Sequence, residues 1–146
     1  MIRKSSEVDV DQLAKIWLEA SLEAHHFIPA SYWVSHLQSM REHYLPLSET
    51  YVWEDEKCKD VYGFISLVES NLAALFVVPK QQKKGIGKAL VQFAKSLRDK
   101  LELSVYAENK QALSFYERMG FAFKCKQVDE ATGQMEYLME WRISST

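Results

Sequence analysis

Val78-Pro79-Lys80-Gln81-Gln82-Lys83-Lys84-Gly85-Ile86-Gly87-Lys88-Ala89-Leu90 is the stretch whose reading decides the fold. It begins where the apolar run 72–78 stops at Pro79. It ends in a pattern that shows Ala89, Leu90, Phe93, Ala94 and Leu97 at helical spacing. A buried strand, a basic loop and a helix opened by glycines together build an anion site. The first N–H groups of a helix have no intrahelical partner, and its start carries partial positive charge. Glycine lets a phosphate approach the backbone without a clashing side chain. Lys80, Lys83, Lys84 and Lys88 crowd that start. Cations there oppose the macrodipole by about 0.3–1 kcal/mol each, so a cluster of them predicts an anion to hold, of diphosphate size.

Two other phosphate loops are excluded by what stands at their fixed positions. A Walker A loop needs Gly-x4-Gly-Lys-Ser/Thr. Here Gln82 and Ala89 take the places of the first glycine and of the magnesium-binding hydroxyl. A dinucleotide fingerprint needs Gly-x-Gly-x-x-Gly early in a βαβ unit. Here Leu90 takes the third place, and strands are expected ahead of the loop.

Outward from the loop, apolar patterning predicts strands over residues 2–4, 50–55, 61–69, 72–78, 101–107, 121–129 and 135–143. Helices are expected over 9–23, 29–45, 87–100 and 109–119. The first shows Val10, Leu13, Ile16, Trp17 and Ala20 on one stripe; the second starts at Pro29 and shows Trp33, Leu37, Met40 and Tyr44. Gly120 closes the last one as a left-handed cap. The order β-α-α-β-β-β-α-β-α-β-β predicts an α/β fold, a mixed sheet with helices on both faces, in one domain over 1–146. The strand 135–143 is expected at an edge, where another copy could pair with it.

Composition narrows the partners. The chain has 146 residues, 18 basic and 20 acidic, and a net charge of −2. That balance supplies no steering toward nucleic acid or anionic membrane. No apolar run reaches the roughly 18 residues of a membrane helix, and no secretory leader opens the chain, so a cytoplasmic location is expected. The two cysteines, Cys58 and Cys125, form no Cys-x-x-Cys, and reduced structural thiols are expected. His36 and His43 stand seven apart on one expected helix, about 10.5 Å along its axis, too far for one metal ion. No metal is expected.

Gln82-x-x-Gly85-x-Gly87 resembles the Gln/Arg-x-x-Gly-x-Gly/Ala loop of the GNAT superfamily of N-acetyltransferases. Val105-Tyr106-x-x-Asn109 with Ala112-x-x-Phe115-Tyr116-x-x-x-Gly120-Phe121 resembles that superfamily's fifth-strand and following-helix block. The order of elements matches as well, so the resemblance covers nearly the whole chain. His26-Phe27-Ile28, Tyr32-Trp33, Val52-Trp53-Glu54 and Leu75-Phe76-Val77 further resemble a small bacterial type that includes protein lysine acetyltransferases.

The resemblance implies a GNAT fold with the fourth and fifth strands splayed, acetyl-CoA as co-substrate, and an amine acceptor. It implies that Leu75, Phe76 and Val77 bond the pantetheine arm through their backbone. Lys83, Lys84, Gly85, Ile86, Gly87 and Lys88 hold the pyrophosphate. Asn109 binds the cofactor, and as a residue it is equally a good helix N-cap. Tyr116 is the implied catalytic acid for the departing thiolate, and a strand-packed phenol is its plain alternative. A backbone N–H at Phe76 or Val77 is expected to steady the oxyanion. His26, Phe27, Tyr32 and Glu69 are the candidates for acceptor contact, and no general base is evident. Direct transfer in a ternary complex is the expected mechanism. The acceptor stays open between a protein lysine and a small amine such as an amino acid, polyamine or drug. A coenzyme A-binding regulatory module without turnover is a further alternative. A monomer or a homodimer is expected.

Overall fold

The computed structural model of the chain describes residues 1–144. Its strands are β1 (Ile2–Lys4), β2 (Glu49–Glu54), β3 (Val61–Val68), β4 (Asn71–Val77), β5 (Lys100–Tyr106), β6 (Ala122–Val128) and β7 (Met135–Arg142). Its helices are α1 (Val10–Ala24), α2 (Ala30–Ser39), α3 (Leu45–Leu47), α4 (Ile86–Leu97) and α5 (Lys110–Arg118). The strands form one sheet in the order β1-β2-β3-β4-β5-β7-β6. Among the described residues no helix is long and apolar enough to cross a membrane.

Each face of the sheet carries its own core. On one, α4 and α5 bury Ile65, Leu67, Leu90, Val91, Leu101, Leu103 and Met139. On the other, α1 and α2 bury Leu13, Ile16, Trp17, Trp33, Val52 and Phe64. Alternate residues of β3 serve opposite faces, which is why that strand reads as a continuous apolar run rather than an alternating one.

The mixed sheet is weakest where its two halves join. Neighbouring strands pair antiparallel except β4 and β5, which are parallel and meet only at Asn71↔Glu102. Beyond that point they splay. The divergence begins at a bulge in β4: Ser66 pairs with Ala74 but Leu67 with Leu72, so Ala73 is an extra residue. The expected splay is therefore present, with a local cause.

Three expectations need correction. First, residues 135–143 do not form an edge strand. β7 lies between β5 and β6, and β6 is the edge. The edge carries Lys124 and Lys126 on a fully exposed strand, the arrangement that discourages edge pairing. Second, the helix over 29–45 is not one regular α-helix. Residues Met40–Tyr44 form a π-turn in which the Leu45 N–H donates to the Met40 carbonyl. The extra residue in that turn rotates Tyr44 outward, to 64% exposure, and puts Leu45 into the core in its place. Pro46, which has no N–H to give to an α-helical ladder, follows directly. Third, α4 stops at Leu97 rather than near residue 100. Arg98 takes an extended backbone, and its guanidinium bonds the Glu69 carbonyl at 2.9 Å and Glu49 at 2.8 Å.

Candidate active site

The splay leaves one edge of β4 without a strand partner. Along an antiparallel pair the backbone groups point alternately toward and away from the neighbour. The Val78 N–H donates to Tyr62 of β3 at 2.8 Å. By alternation the Phe76 N–H also faces β3, and the N–H groups of Leu75 and Val77 face the opening. Of the two expected oxyanion donors, Phe76 is thus turned to the wrong side, and Val77 is directed into the cleft.

The basic loop follows β4 at once. Gln82 reaches back, its Nε2 donating to the Val77 carbonyl at 3.1 Å. That bond gives the glutamine of the motif a structural role, because it closes the loop onto the end of the strand. Lys83 and Gly85 both take left-handed backbone, with φ of 64° and 87°. Gly85 is the N-cap of α4, which has no side-chain cap and no acidic residue in its first turn. The first-turn N–H groups are therefore open to an anion. Ile86 is buried and anchors the helix start in the core. Lys84 leans away from the helix axis to bond Gln81 at 3.1 Å.

Beyond the loop, Asn109 and Tyr116 come from α5. Asn109 caps the helix, its Oδ1 accepting from the Ala112 N–H at 3.2 Å. Its Nδ2 donates to His25 Nε2 at 3.1 Å, from the far side of the cleft. Tyr116 is buried, with its ring edge-on to Phe115 and Phe121. Burial pushes its phenol well above the usual range, so it is protonated throughout the neutral region.

Two cavities open along the splay. One, of about 270 Å³, is lined by the loop residues Gln81, Gln82, Lys83, Gly85, Gly87 and Lys88, by Val77, and by Phe115 and Arg118. The other, of about 360 Å³, lies toward α2 and the π-turn and is lined by Trp17, Tyr32, Trp33, His36, Tyr44, Tyr106 and Glu136, among others. His25, Leu75, Phe76, Asn109, Ala112 and Tyr116 line both. The cavities meet at those side chains. The basic one suits a diphosphate with an extended arm. The aromatic one suits a slender, mostly apolar acceptor. An atom carried in along β4 would arrive beside Tyr116, where the second cavity begins.

Known proteins share this fold. Residues 46–122 match the family model described as an acetyltransferase (GNAT) domain. The chain is 36% identical to the peptidyl-lysine N-acetyltransferase YiaC of Escherichia coli, over 100% of this chain and 99% of that one. The chain belongs to the GNAT acetyltransferase family. It is an N-acetyltransferase. Peptidyl-lysine N-acetyltransferase YjaB of Escherichia coli is 32% identical over 82% of this chain and 80% of its own. The solution structure of apo YjaB superposes with a TM-score of 0.86, at 27% identity, covering 99% and 98% of the two chains. The fold is also that of YncA from Salmonella typhimurium, solved with its cofactor acetyl-CoA, at a TM-score of 0.70 and 16% identity over 100% and 95% of the chains. A GNAT enzyme takes its acetyl group from acetyl-CoA, and the β4 edge, the open helix start and the lysines fit that molecule.

Of the residues singled out from the sequence, the structure brings together Leu75, Phe76, Val77, Lys83, Gly85, Gly87, Lys88, Asn109 and Tyr116 around the first cavity. Tyr32 lines the second. Phe27 touches neither cavity but packs edge-on against His25 and Tyr106. His26 is exposed and lines neither. Glu69 sits in the β3–β4 turn with φ of 55°, at the closed end of the splay, where its carbonyl receives Arg98. Neither cysteine lines a cavity; both are exposed.

Sequence reasoning chose the wrong one of the neighbouring histidines and did not single out Glu136 and Tyr44, among other lining residues. His25 rather than His26 turns inward, because the α1 C-cap at His25 has φ −119° and ψ 50° and folds that ring under the helix end. Glu136 lies opposite Tyr106 in the β5–β7 register, a pairing no local pattern reveals. Tyr44 joins the cavity through the π-turn. One signal was available: Pro46, directly after the expected helical run, marks an irregular turn at its end.

Proposed function

We propose that this enzyme acetylates the ε-amine of lysine side chains in proteins, by direct attack on acetyl-CoA in a ternary complex, and that residues 1–146 act as one domain. The meeting of the two cavities at Tyr116 carries this reading: donor and acceptor approach one point from opposite sides, with no cysteine between them for a covalent relay. The pantetheine amides add to the free edge of β4 at Leu75 and Val77. The N–H groups from Lys83 to Lys88 hold the pyrophosphate, and Asn109 contacts the cofactor at the opening of α5. Leu75 lines both cavities and Val77 only the first, so of these two N–H groups the Leu75 one polarises the thioester carbonyl and the Val77 one serves the arm. Tyr116, which lines both cavities, gives its proton to the departing sulfur.

The acceptor cavity favours a lysine arm. Its walls at Trp17, Tyr32, Trp33 and Tyr106 suit four methylenes and the face-on approach of an ammonium. Among the described residues Glu136 is the one carboxylate of its lining, held by Gln127 Nε2 at 2.6 Å. A polyamine, with several charges, would ask for more acid than that. Glu136, through water, is also the group placed to take the proton that the ammonium must lose. His25 is not: burial lowers its pKa to about 4, and its Nε2 is occupied. The two relatives named as peptidyl-lysine N-acetyltransferases support the same acceptor.

The test is radiolabelled acetyl transfer from acetyl-CoA to a panel of lysine peptides, N-terminal amines, amino acids, polyamines and amine drugs. Lysine peptides are expected to be labelled, with intersecting rather than parallel double-reciprocal lines. Transfer confined to a small amine would overturn the acceptor, and parallel lines would overturn the ternary complex.

A further inference from the structure

We propose that His25 is a positioning residue for this reaction: its Nε2 fixes the Asn109 amide and ties the acceptor-side helices to the cofactor-side helix across the open cleft. The proposal rests on the reading that Asn109 contacts the cofactor.

The hydrogen-bond inventory of the pair settles its polarity. The Asn109 Oδ1 is committed to the Ala112 N–H at 3.2 Å, so the amide nitrogen is the end turned toward His25. That nitrogen has only hydrogens to offer, and it lies 3.1 Å from Nε2. Nε2 therefore accepts. A neutral imidazole with one accepting nitrogen carries its proton on the other, Nδ1. Nδ1 is buried and has no partner. A buried donor left unpaired is destabilising. Turning the ring over would exchange that cost for the loss of the Asn109 bond.

Packing holds the ring in the chosen orientation. It stacks on Trp33 of α2, with centroids 5.2 Å apart and planes at 27°. Phe27 and Tyr106 meet it edge-on, at 5.7 and 5.2 Å. His25 is the C-cap of α1 and Asn109 the N-cap of α5. The bond thus joins two helix ends above the gap between β4 and β5, whose own pairing is confined to the far end at Asn71↔Glu102. A histidine kept only for packing would need neither the accepting nitrogen nor a place in both cavities. This one sets the rotamer of Asn109 before the cofactor arrives, and lowers the ordering cost of binding.

The experiment compares wild type with His25→Phe, His25→Gln, His25→Asn and Asn109→Ala, by steady-state kinetics with acetyl-CoA varied and by calorimetric titration with coenzyme A. His25→Phe keeps the ring and loses the acceptor. A KM for acetyl-CoA raised roughly tenfold is expected, with kcat within about threefold, the size of one lost positioning bond. His25→Gln extends a side-chain oxygen to the Nε2 position and is expected to recover most of that loss. His25→Asn is too short to reach and is expected to resemble His25→Phe. It replaces that variant in the comparison with His25→Gln if the phenylalanine does not fold. Equal behaviour of the Gln and Asn variants, or a change in melting temperature without a change in KM, would overturn the proposal. If Asn109→Ala raises the KM and His25→Phe does not, positioning by His25 fails while the cofactor reading stands. If Asn109→Ala leaves it unchanged, the cofactor reading itself fails, and this proposal with it.

Discussion

The two cavities that meet at Tyr116 are built in opposite ways. The cofactor side is closed by α5 and the end of α1 but centres on one continuous stretch, from Leu75 through Lys88, which works largely through main chain: the free edge of β4, the left-handed turns at Lys83 and Gly85, and the open first turn of α4. The acceptor side is assembled from α1, α2, the π-turn, β5 and β7, and works through side chains. A backbone site tolerates many side chains and recognises one invariant ligand. A side-chain site recognises whatever its side chains select, and changes when they do. This division suits an enzyme with a common donor and a particular acceptor.

The boundary between the two is the sharpest place to break the comparison. Tyr116→Phe removes one oxygen and leaves the ring contacts with Phe115 and Phe121 in place. The loss of a general acid is expected to lower kcat on the order of 10²-fold or more, with KM for acetyl-CoA and melting temperature nearly unchanged. A wild-type kcat in this variant, across pH, would remove Tyr116 from the chemistry. Cys58→Ala and Cys125→Ala are expected to leave turnover unaltered, since neither thiol reaches a cavity.

The next effect belongs to the acceptor side and is one of stability. The folded-state pKa of His25 is lowered from 6.5 to about 4 because burial penalises the charged ring. The unfolded chain therefore binds the extra proton first as pH falls. Stability is full above about 6.5 and is lost progressively down to about 4, by up to about 3 kcal/mol. Asp9, whose carboxyl is held low by bonds from Arg3, acts only below its ordinary value of 3.8, and Glu49 only below 4.5. The interval between 5 and 6.5 is thus left to histidine. Tyr106 is the titrating group packed on the ring, and it is held protonated by burial and by its bond to Asp129 at 2.7 Å. Urea denaturation at pH 7 and 5 is expected to show a marked loss for wild type and a much smaller one for His25→Gln. Equal losses would mean that His25 is solvated in the native state.

The same division explains what could be read from the sequence. The element order and the phosphate loop were legible because each is a local pattern; the splay after the fourth strand was implied by the family resemblance that those patterns carry. Asn109 and Tyr116 were singled out because residues 105–121 resemble a block of the family, and both line the two cavities. The acceptor wall was not. The choice between His25 and His26 depends on the backbone angles at a helix cap, the choice between Tyr44 and Leu45 on a π-turn, and the arrival of Glu136 on the cross-strand register of β7. The misplaced edge strand has the same origin: β6 and β7 are adjacent in sequence, and nothing local says which of them returns to β5.

Smaller effects probe the main-chain site. Gly85 has φ of 87°, and a Cβ built there meets nothing within 4 Å. Gly85→Ala therefore tests backbone strain without a clash. About 1–2 kcal/mol is expected, shared between lower stability and a several-fold higher KM for acetyl-CoA. Gly87 takes helical backbone, and its Cβ would sit 3.4 Å from the Phe115 ring, an ordinary contact. Gly87→Ala is expected to spare stability and to act on the cofactor alone. A stability loss at residue 87 with none at 85 would reverse the assignment of strain.

The smallest effect is the most discriminating for the lysines. Lys88 lies in the first turn of α4 and lines the cofactor cavity; Lys84 is engaged with Gln81 and does not line it. In the free protein Lys88 opposes the helix dipole, so Lys88→Ala is expected to stabilise the fold slightly, by a few tenths of a kcal/mol, while weakening acetyl-CoA binding about threefold. The two effects have opposite signs, which no purely structural role of the residue would produce. The threefold loss is expected to shrink as ionic strength rises toward 1 M, where the screening length falls to about 3 Å. Lys84→Ala is expected to change both quantities less. Calorimetric titration with coenzyme A at low and high salt, paired with thermal melts of the free proteins, reads both. If Lys84→Ala and Lys88→Ala weaken binding equally at every salt concentration, the lysines act as a diffuse charged face, and the pyrophosphate is held by the main chain of the loop alone.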